Sequence, residues 1–209
     1  MLIFVDANIV LFATPKTGST AYHTALRPQA DIAFVGRASL KHMPARKYHR
    51  HLAPYLREAH GLAPERVAVM RDPLDHARSW YRYRCRPAAR DKAASAAGVG
   101  FSDFVEALIA RDPPEFAKVG NQFNFLTDRD GNLLVDHLFA YERKGLFHDW
   151  LEARLDRRFT TKTKNASPPA DTTLDPQVET RFRAARTREY ALYDRLLAAG
   201  GHLETPVTA

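Results

Sequence analysis

Residues 14–20 read Thr-Pro-Lys-Thr-Gly-Ser-Thr, which sets a lysine, a flexible glycine and several hydroxyls between a short apolar run at 9–14 and a segment patterned as a helix. Phosphate chemistry suits such a place. A helix start offers unpaired N–H groups and the positive end of its dipole, Gly18 permits close backbone approach, and Lys16 adds a full charge. An ordinary strand-to-helix turn is the plain alternative. The segment is not a Walker A loop, because its lysine precedes the only glycine instead of following one. A second set of residues lies at Val67-Ala68-Val69-Met70-Arg71-Asp72-Pro73, with Ser79 two helical turns further on. Arg71 at the end of a strand can grip a phosphate through two N–H groups while Ser79 adds a hydroxyl. The alternative is an arginine paired with carboxylates at the helix start and a solvated serine.

Strands alternating with helices must position these groups. The run at 9–14 is a buried strand with 2–5 as its hairpin partner, and a helix runs from 19 or 20 to 26, where Pro28 discourages continuation. A second strand is expected at 31–35, a helix over 46–60 ending at Gly61, and a third strand at 66–70. Asp72 followed by Pro73 is a strong helix start, since Asp caps free N–H groups and Pro suits the first helical position, so a helix is expected to about Arg84. This rhythm predicts an α/β fold with a central parallel sheet flanked by helices. Residues 88–100, alanine-rich and closed by two glycines, read as a mobile segment over a site or as a surface loop. Beyond them, helices are expected at 101–110, 145–155 and 175–197, a turn at 128–132, a strand within 133–141 and a loop at 166–175.

At 209 residues, 45% apolar and 26% charged, the chain is expected to form one globular domain over 1–209. No run approaches the roughly 18 apolar residues of a membrane span, and residues 1–13 lack a basic leader, so a soluble cytoplasmic protein without a membrane partner is expected. A single cysteine, Cys85, excludes an internal disulfide and a cysteine metal centre, and reads as a structural thiol. The formal charge of +7 attracts polyanions. Basic residues spread from Lys16 to Arg195 favour a small anionic ligand over nucleic acid.

Together the two motifs resemble those of the sulfotransferases that use 3′-phosphoadenosine 5′-phosphosulfate (PAPS). Their 5′-phosphosulfate loop follows Pro-Lys-Thr-Gly-Ser-Thr, and their 3′-phosphate motif is Arg-Asp-Pro with a serine eight residues after the arginine; both patterns stand in this chain. The carbohydrate sulfotransferases, heparan sulfate 2-O and chondroitin-type enzymes and their soluble bacterial relatives, are the most similar subgroup. The resemblance continues more loosely through residues 136–142, 165–167 and 190–193. It implies a three-layer P-loop-like fold and transfer of the sulfuryl group of PAPS to a hydroxyl on a small molecule or sugar, releasing 3′-phosphoadenosine 5′-phosphate (PAP), with no metal required. Lys16, Thr17, Gly18, Ser19 and Thr20 would hold the 5′-phosphosulfate, Arg71 and Ser79 the 3′-phosphate, and Asn165 and Ser167 would close over the nucleotide. Lys16 would also stabilise charge on the leaving oxygen. The acceptor hydroxyl must lose a proton, and His42, just past the second expected strand, corresponds to the region that supplies the base in several relatives. His23, His49, His51 and His76 compete for that role. Two other readings stand beside this one. A P-loop-like nucleotide kinase or NTPase would use Asp72 for magnesium, and a basic nucleic-acid-binding module would use Tyr81, Tyr83 and neighbouring arginines.

Overall fold

The computed structural model describes residues 1–87, 93–162 and 169–206. Its centre is a six-stranded sheet of β1 (Leu2–Phe4), β2 (Ile9–Leu11), β3 (Ile32–Ala33), β4 (Glu65–Met70), β5 (His137–Ala140) and β6 (His202–Glu204), in the order β3-β1-β2-β4-β5-β6. The sheet is mixed. β2, β4 and β5 are mutually parallel, whereas β1, β3 and β6 each run antiparallel to their neighbours. The expected central parallel sheet is therefore confined to three strands. The link from β1 to β2 is a tight turn closed by the Asn8 N–H on the Val5 carbonyl, too short for a parallel crossover. At the far edge Gly200 and Gly201, with φ of 74° and 93°, turn the chain back from the preceding helix into β6.

Side chains alternate across the strands, and each set finds its own helices. Ile3, Val10, Ala68, Met70, Leu138 and Ala140 face one side, packed with Leu56 of α4 (Ala53–His60), Leu126 of α7 (Gln122–Leu126) and Leu192 and Leu196 of α10 (Thr187–Ala198). Leu2, Phe4, Ile9, Leu11, Val67, Val69 and Phe139 face the other, against Leu26 of α1 (Ser19–Leu26) and Phe147 and Leu151 of α8 (Lys144–Arg154). Helices thus cover both faces. A further apolar cluster joins α5 (Pro73–Arg84), α6 (Phe101–Ile109) and α9 (Pro176–Ala185) through Tyr81, Phe104 and Phe182. Among the described residues no helix is long and apolar enough to cross a membrane.

The helix expected over 46–60 begins as α3 (Ala45–Lys47) and passes through a wide turn at Tyr48–Leu52 before α4. Pro54 has no N–H for the Arg50 carbonyl, which accounts for the opened turn. The single helix expected over 175–197 is two, α9 and α10, broken at Arg186 with φ −112° and ψ 21°. The second expected strand shrinks to the two residues of β3 at the sheet edge. α5 begins as the sequence dictates, with the Asp72 carboxylate accepting from the Asp75 N–H at 2.8 Å.

The amino ends of β4 and β5 are fastened by Arg66 and Asp136. Asp136 Oδ2 accepts from the Arg66 backbone N–H at 2.6 Å and from Nε at 2.7 Å, and Oδ1 accepts from Nη2 at 3.1 Å. Both side chains are 11% exposed. Removing the Asp136 carboxylate deletes its bonds to both the Arg66 backbone N–H and the guanidinium, so Asp136→Ala should lose about 1.5–3 kcal/mol of stability in urea titration. A loss below about 1 kcal/mol, the worth of a surface pair, would show that the fastening is unimportant.

Candidate functional site

All three parallel strands end at one edge, and a cleft of about 1270 Å³ opens there. β2 delivers the 13–18 loop, β4 delivers Arg71 and β5 delivers Tyr141, the place where open α/β sheets bind ligands. The cleft collects Lys16, Thr17, Gly18, Ser19, Thr20, His42, Arg71 and Ser79 in one lining. Asn165 and Ser167 lie outside the described residues.

The loop is held by its carbonyls. Ala13 O accepts from His42 Nδ1 at 2.6 Å, Thr14 O from Thr17 Oγ1 at 2.9 Å, Pro15 O from His76 Nε2 at 3.1 Å and Lys16 O from Arg71 Nη1 at 3.3 Å. Four consecutive carbonyls are thus taken by side chains. By contrast, no acceptor among the described residues takes the N–H groups of residues 16–20. Lys16 and Gly18 both adopt the left-handed region, with φ of 64° and 72°, and such alternation curls successive N–H groups into an anion-binding concavity. The left-handed turn at Lys16 costs about 1–2 kcal/mol, and the four side-chain bonds at about 0.5–1.5 kcal/mol each outweigh it. Gly18 is also confined from outside, since a Cβ there would lie 3.3 Å from the Tyr141 ring.

The histidines separate by what they do here. His76 is buried and burial pushes its pKa down to about 3, so it serves as a neutral donor to Pro15. An unfolded chain protonates this group near the ordinary value of 6.5, so its anchoring contribution is lost as the pH falls from there toward 3. His23 is occupied by the Phe34 carbonyl at 3.2 Å. His42 gives its Nδ1 proton to Ala13, which leaves Nε2 as the lone-pair nitrogen of a ring lining the cleft. Burial, reinforced by Lys41, holds its pKa below the ordinary value. His49 and His51 are exposed and are not part of the lining.

Seven basic side chains line the cleft (Lys16, Lys41, Arg71, Arg82, Arg86, Lys118 and Lys144), and no described lining residue is acidic. Aromatic rings hold several of them. Lys16 Nζ lies 4.6 Å and the Arg86 guanidinium 3.6 Å from the Tyr83 ring centre, and Tyr141 has Arg71 and Lys144 each at 4.4 Å. A ring positions a cation without cancelling its charge. Lys41 donates to Thr20 Oγ1 at 3.0 Å, tying α2 (Ala38–Lys41) to α1. Arg71 shows the carboxylate pairing that was its alternative reading: its Nε and Nη2 meet Asp75 Oδ2 at 2.6 and 2.5 Å, so that edge of its fork is engaged within α5's first turn. Its Nη1 donates one hydrogen to the Lys16 carbonyl and retains a second. Buried Gln122 fixes the end of β4, accepting from the Arg71 N–H and donating to the Arg71 carbonyl, each at 2.8 Å.

Sequence reasoning missed the site roles of Trp80, Arg82, Lys118, Tyr141, Lys144 and His148. A signal existed for part of this set, because Ser79, Arg82 and Tyr83 recur at i, i+3 and i+4 on α5 and so share a face. No local pattern links Lys118 or Lys144 to that face. Neither known family models, nor curated proteins, nor solved structures match the chain.

Crowding among cations has a measurable consequence at Lys16. Burial, then Arg86 and Arg71, lower its pKa from 10.5 to about 8. Between those values the unfolded chain binds the proton that the folded chain has released, so stability from this group rises with pH across the window. Lys16→Met should therefore raise the melting temperature of the ligand-free protein at pH 7, and the gain should fade between pH 8 and 10.5. Melts in which the gain grows with pH would contradict this origin.

Proposed function

We propose that the chain transfers the sulfuryl group of PAPS to an acceptor hydroxyl on a sugar or small metabolite. The observation that carries this reading is the cleft itself, in which a loop with four pinned carbonyls and open N–H groups faces a basic lining without a described carboxylate. A ligand with two separated anionic groups fits that chemistry, and the resemblance of 15–20 and of Arg71, Asp72, Pro73 and Ser79 to the two nucleotide motifs narrows it to a 3′,5′-substituted adenosine. A magnesium-nucleotide site would need at least one carboxylate in the lining. Asp72, the candidate for that role, instead caps α5, and it is not among the lining residues.

In this reading the N–H groups of residues 16–20 and the Lys16 ammonium receive the 5′ anion, and Lys16 stabilises the charge that grows on the leaving oxygen. Ser79, Arg82 and the remaining Nη hydrogens of Arg71 receive the 3′-phosphate, with Asp75 holding the Arg71 side chain in place. His42 Nε2 accepts the proton of the acceptor hydroxyl as the new O–S bond forms. Its neutrality near pH 7 follows from burial, and its orientation follows from the Ala13 carbonyl. Arg71→Ala would remove a support of the Lys16 carbonyl as well as a phosphate contact, so it is a poor single test of the 3′ site.

The binding half of the proposal is tested by thermal melts with PAP, ATP and a short oligonucleotide. PAP at a hundredfold excess over its Kd should stabilise by about 2.7 kcal/mol, with ATP far behind. Equal shifts with ATP and PAP would favour a nucleotide kinase, and a response to oligonucleotide alone would favour a nucleic-acid module. Because Lys16 must be protonated to bind, PAP affinity should fall above pH 8, by up to about tenfold per pH unit, and Lys16→Met should flatten that profile.

The catalytic half rests on His42. His42→Gln retains a donor to Ala13 but cannot take a proton, so turnover, followed as slow PAPS hydrolysis if no acceptor is at hand, should fall about 10²–10⁴-fold with PAP affinity nearly unchanged. Wild-type turnover in a folded, PAP-binding His42→Gln protein would place the base elsewhere.

A further inference from the structure

At the end of the sheet opposite the cleft, Glu65 opens β4 and His137 opens β5. Antiparallel pairing sets His137 across from Glu204 and Phe139 across from His202, so both histidines and Glu204 share one side of the β5–β6 ribbon. The His202 ring stacks on Phe139, with centres 4.0 Å apart and planes 14° apart, and His137 lies 4.9 Å from the Trp150 ring. Neither imidazole is free to turn away.

Protons can be assigned from the neighbours. His137 Nε2 lies 3.1 Å from Glu65 Oε2, which also receives Arg154 Nη2 at 2.7 Å, and His202 Nδ1 lies 3.6 Å from Glu204 Oε1. His137 Nε2, within hydrogen-bond reach of Glu65, keeps its hydrogen, which leaves Nδ1 as the lone-pair nitrogen of that ring. That lone pair faces His202 Nε2 at 3.1 Å, a distance at which the His202 Nε2–H donates to it when no cation is bound. With the His202 hydrogen moved to Nδ1, both inner lone pairs would be open to a cation placed between the rings.

We infer that His137, His202 and Glu204 form a binding site for a zinc-class divalent cation that clasps the edge strand β6 to β5. Donor atoms of the three residues lie within 4.8 Å of one another. A cation about 2.0–2.1 Å from both nitrogens would subtend an angle of about 100°, close to tetrahedral, with Glu204 as third ligand. Glu65 supplies the carboxylate that orients and strengthens a ligating histidine, and Arg154 holds Glu65 in turn. Two imidazoles and a carboxylate suit zinc, cobalt or nickel better than magnesium or calcium. The site is remote from the cleft, and its role is to secure the edge strand, where a short unpaired edge is otherwise prone to fray.

The test is calorimetric titration of chelator-stripped, tag-free protein with zinc chloride, with cobalt as a spectroscopic stand-in. One zinc per chain, a raised melting temperature and a visible cobalt band of low symmetry are expected. His137→Gln and His202→Gln should lose the isotherm and the band. Should either unfold, Glu65→Gln and Glu204→Gln decide the matter, since neither residue lies in the core: Glu65→Gln should weaken zinc by about 10–100-fold, and Glu204→Gln should weaken it and alter the cobalt band. Zinc affinity unchanged in both glutamate variants, or absence of a one-site isotherm in the wild type, would overturn the site. Binding to other histidines, such as the exposed His49 and His51, would appear as the former.

Discussion

The carbonyls of Ala13, Thr14, Pro15 and Lys16 are taken by donors from four places: the residue after α2, the loop itself, α5 and the end of β4. A strand-to-helix loop left to water would present carbonyl oxygens and N–H groups indifferently to its ligand. With the oxygens withdrawn, what remains toward the cleft is uniformly electropositive. The same four bonds hold Lys16 in a left-handed turn that its side chain would otherwise avoid. The donors from outside the loop also serve elsewhere, since His42 lines the cleft, Arg71 ends β4, and His76 packs beneath the loop. The site and the packing of α2, α5 and β4 are therefore one construction.

Charge in the cleft follows a consistent pattern. Tyr83 lies between Lys16 and Arg86, and Tyr141 between Arg71 and Lys144, so rings do the positioning that carboxylates do elsewhere in the protein. Carboxylates that do participate, Asp75 on Arg71 and Glu115 on Lys118, are outside the lining. Burial first, and then repulsion from Arg86 and Arg71, depress the pKa of Lys16 when no anion is present. An anion that enters the cleft relieves that repulsion, which makes its binding favourable before any specific contact is counted.

Sheet polarity separates the two charged regions. Parallel strands deliver Lys16, Arg71 and Tyr141 at their carboxyl ends, whereas their amino ends carry Arg66 with Asp136 and Glu65 with His137. At the amino ends acids and bases are matched, as a structural region requires. At the carboxyl ends they are not, and that asymmetry is what distinguishes the site from the rest of the surface.

Much of this was legible in the amino-acid sequence wherever the governing interaction is local. Asp72 and Pro73 start α5, Gly18 turns the loop into α1, and continuous apolar runs mark β2 and β4, because capping, φ preference and burial of a short strand act over a few residues. The gathering of Lys16 to Thr20, His42, Arg71 and Ser79 in one cleft was also foreseen, from motif spacing and family resemblance. Tertiary structure alone decided that β3 and β6 run antiparallel and that Lys118 and Lys144 join the lining, and it chose Asp75 as the carboxylate partner that stood as the alternative reading of Arg71. It also chose the partners of the loop carbonyls, 29, 61 and 55 residues away for His42, His76 and Arg71. Those choices depend on which strands become neighbours and which helix faces meet, and burial of apolar surface over the whole chain settles them, not any interaction that a short stretch of sequence contains.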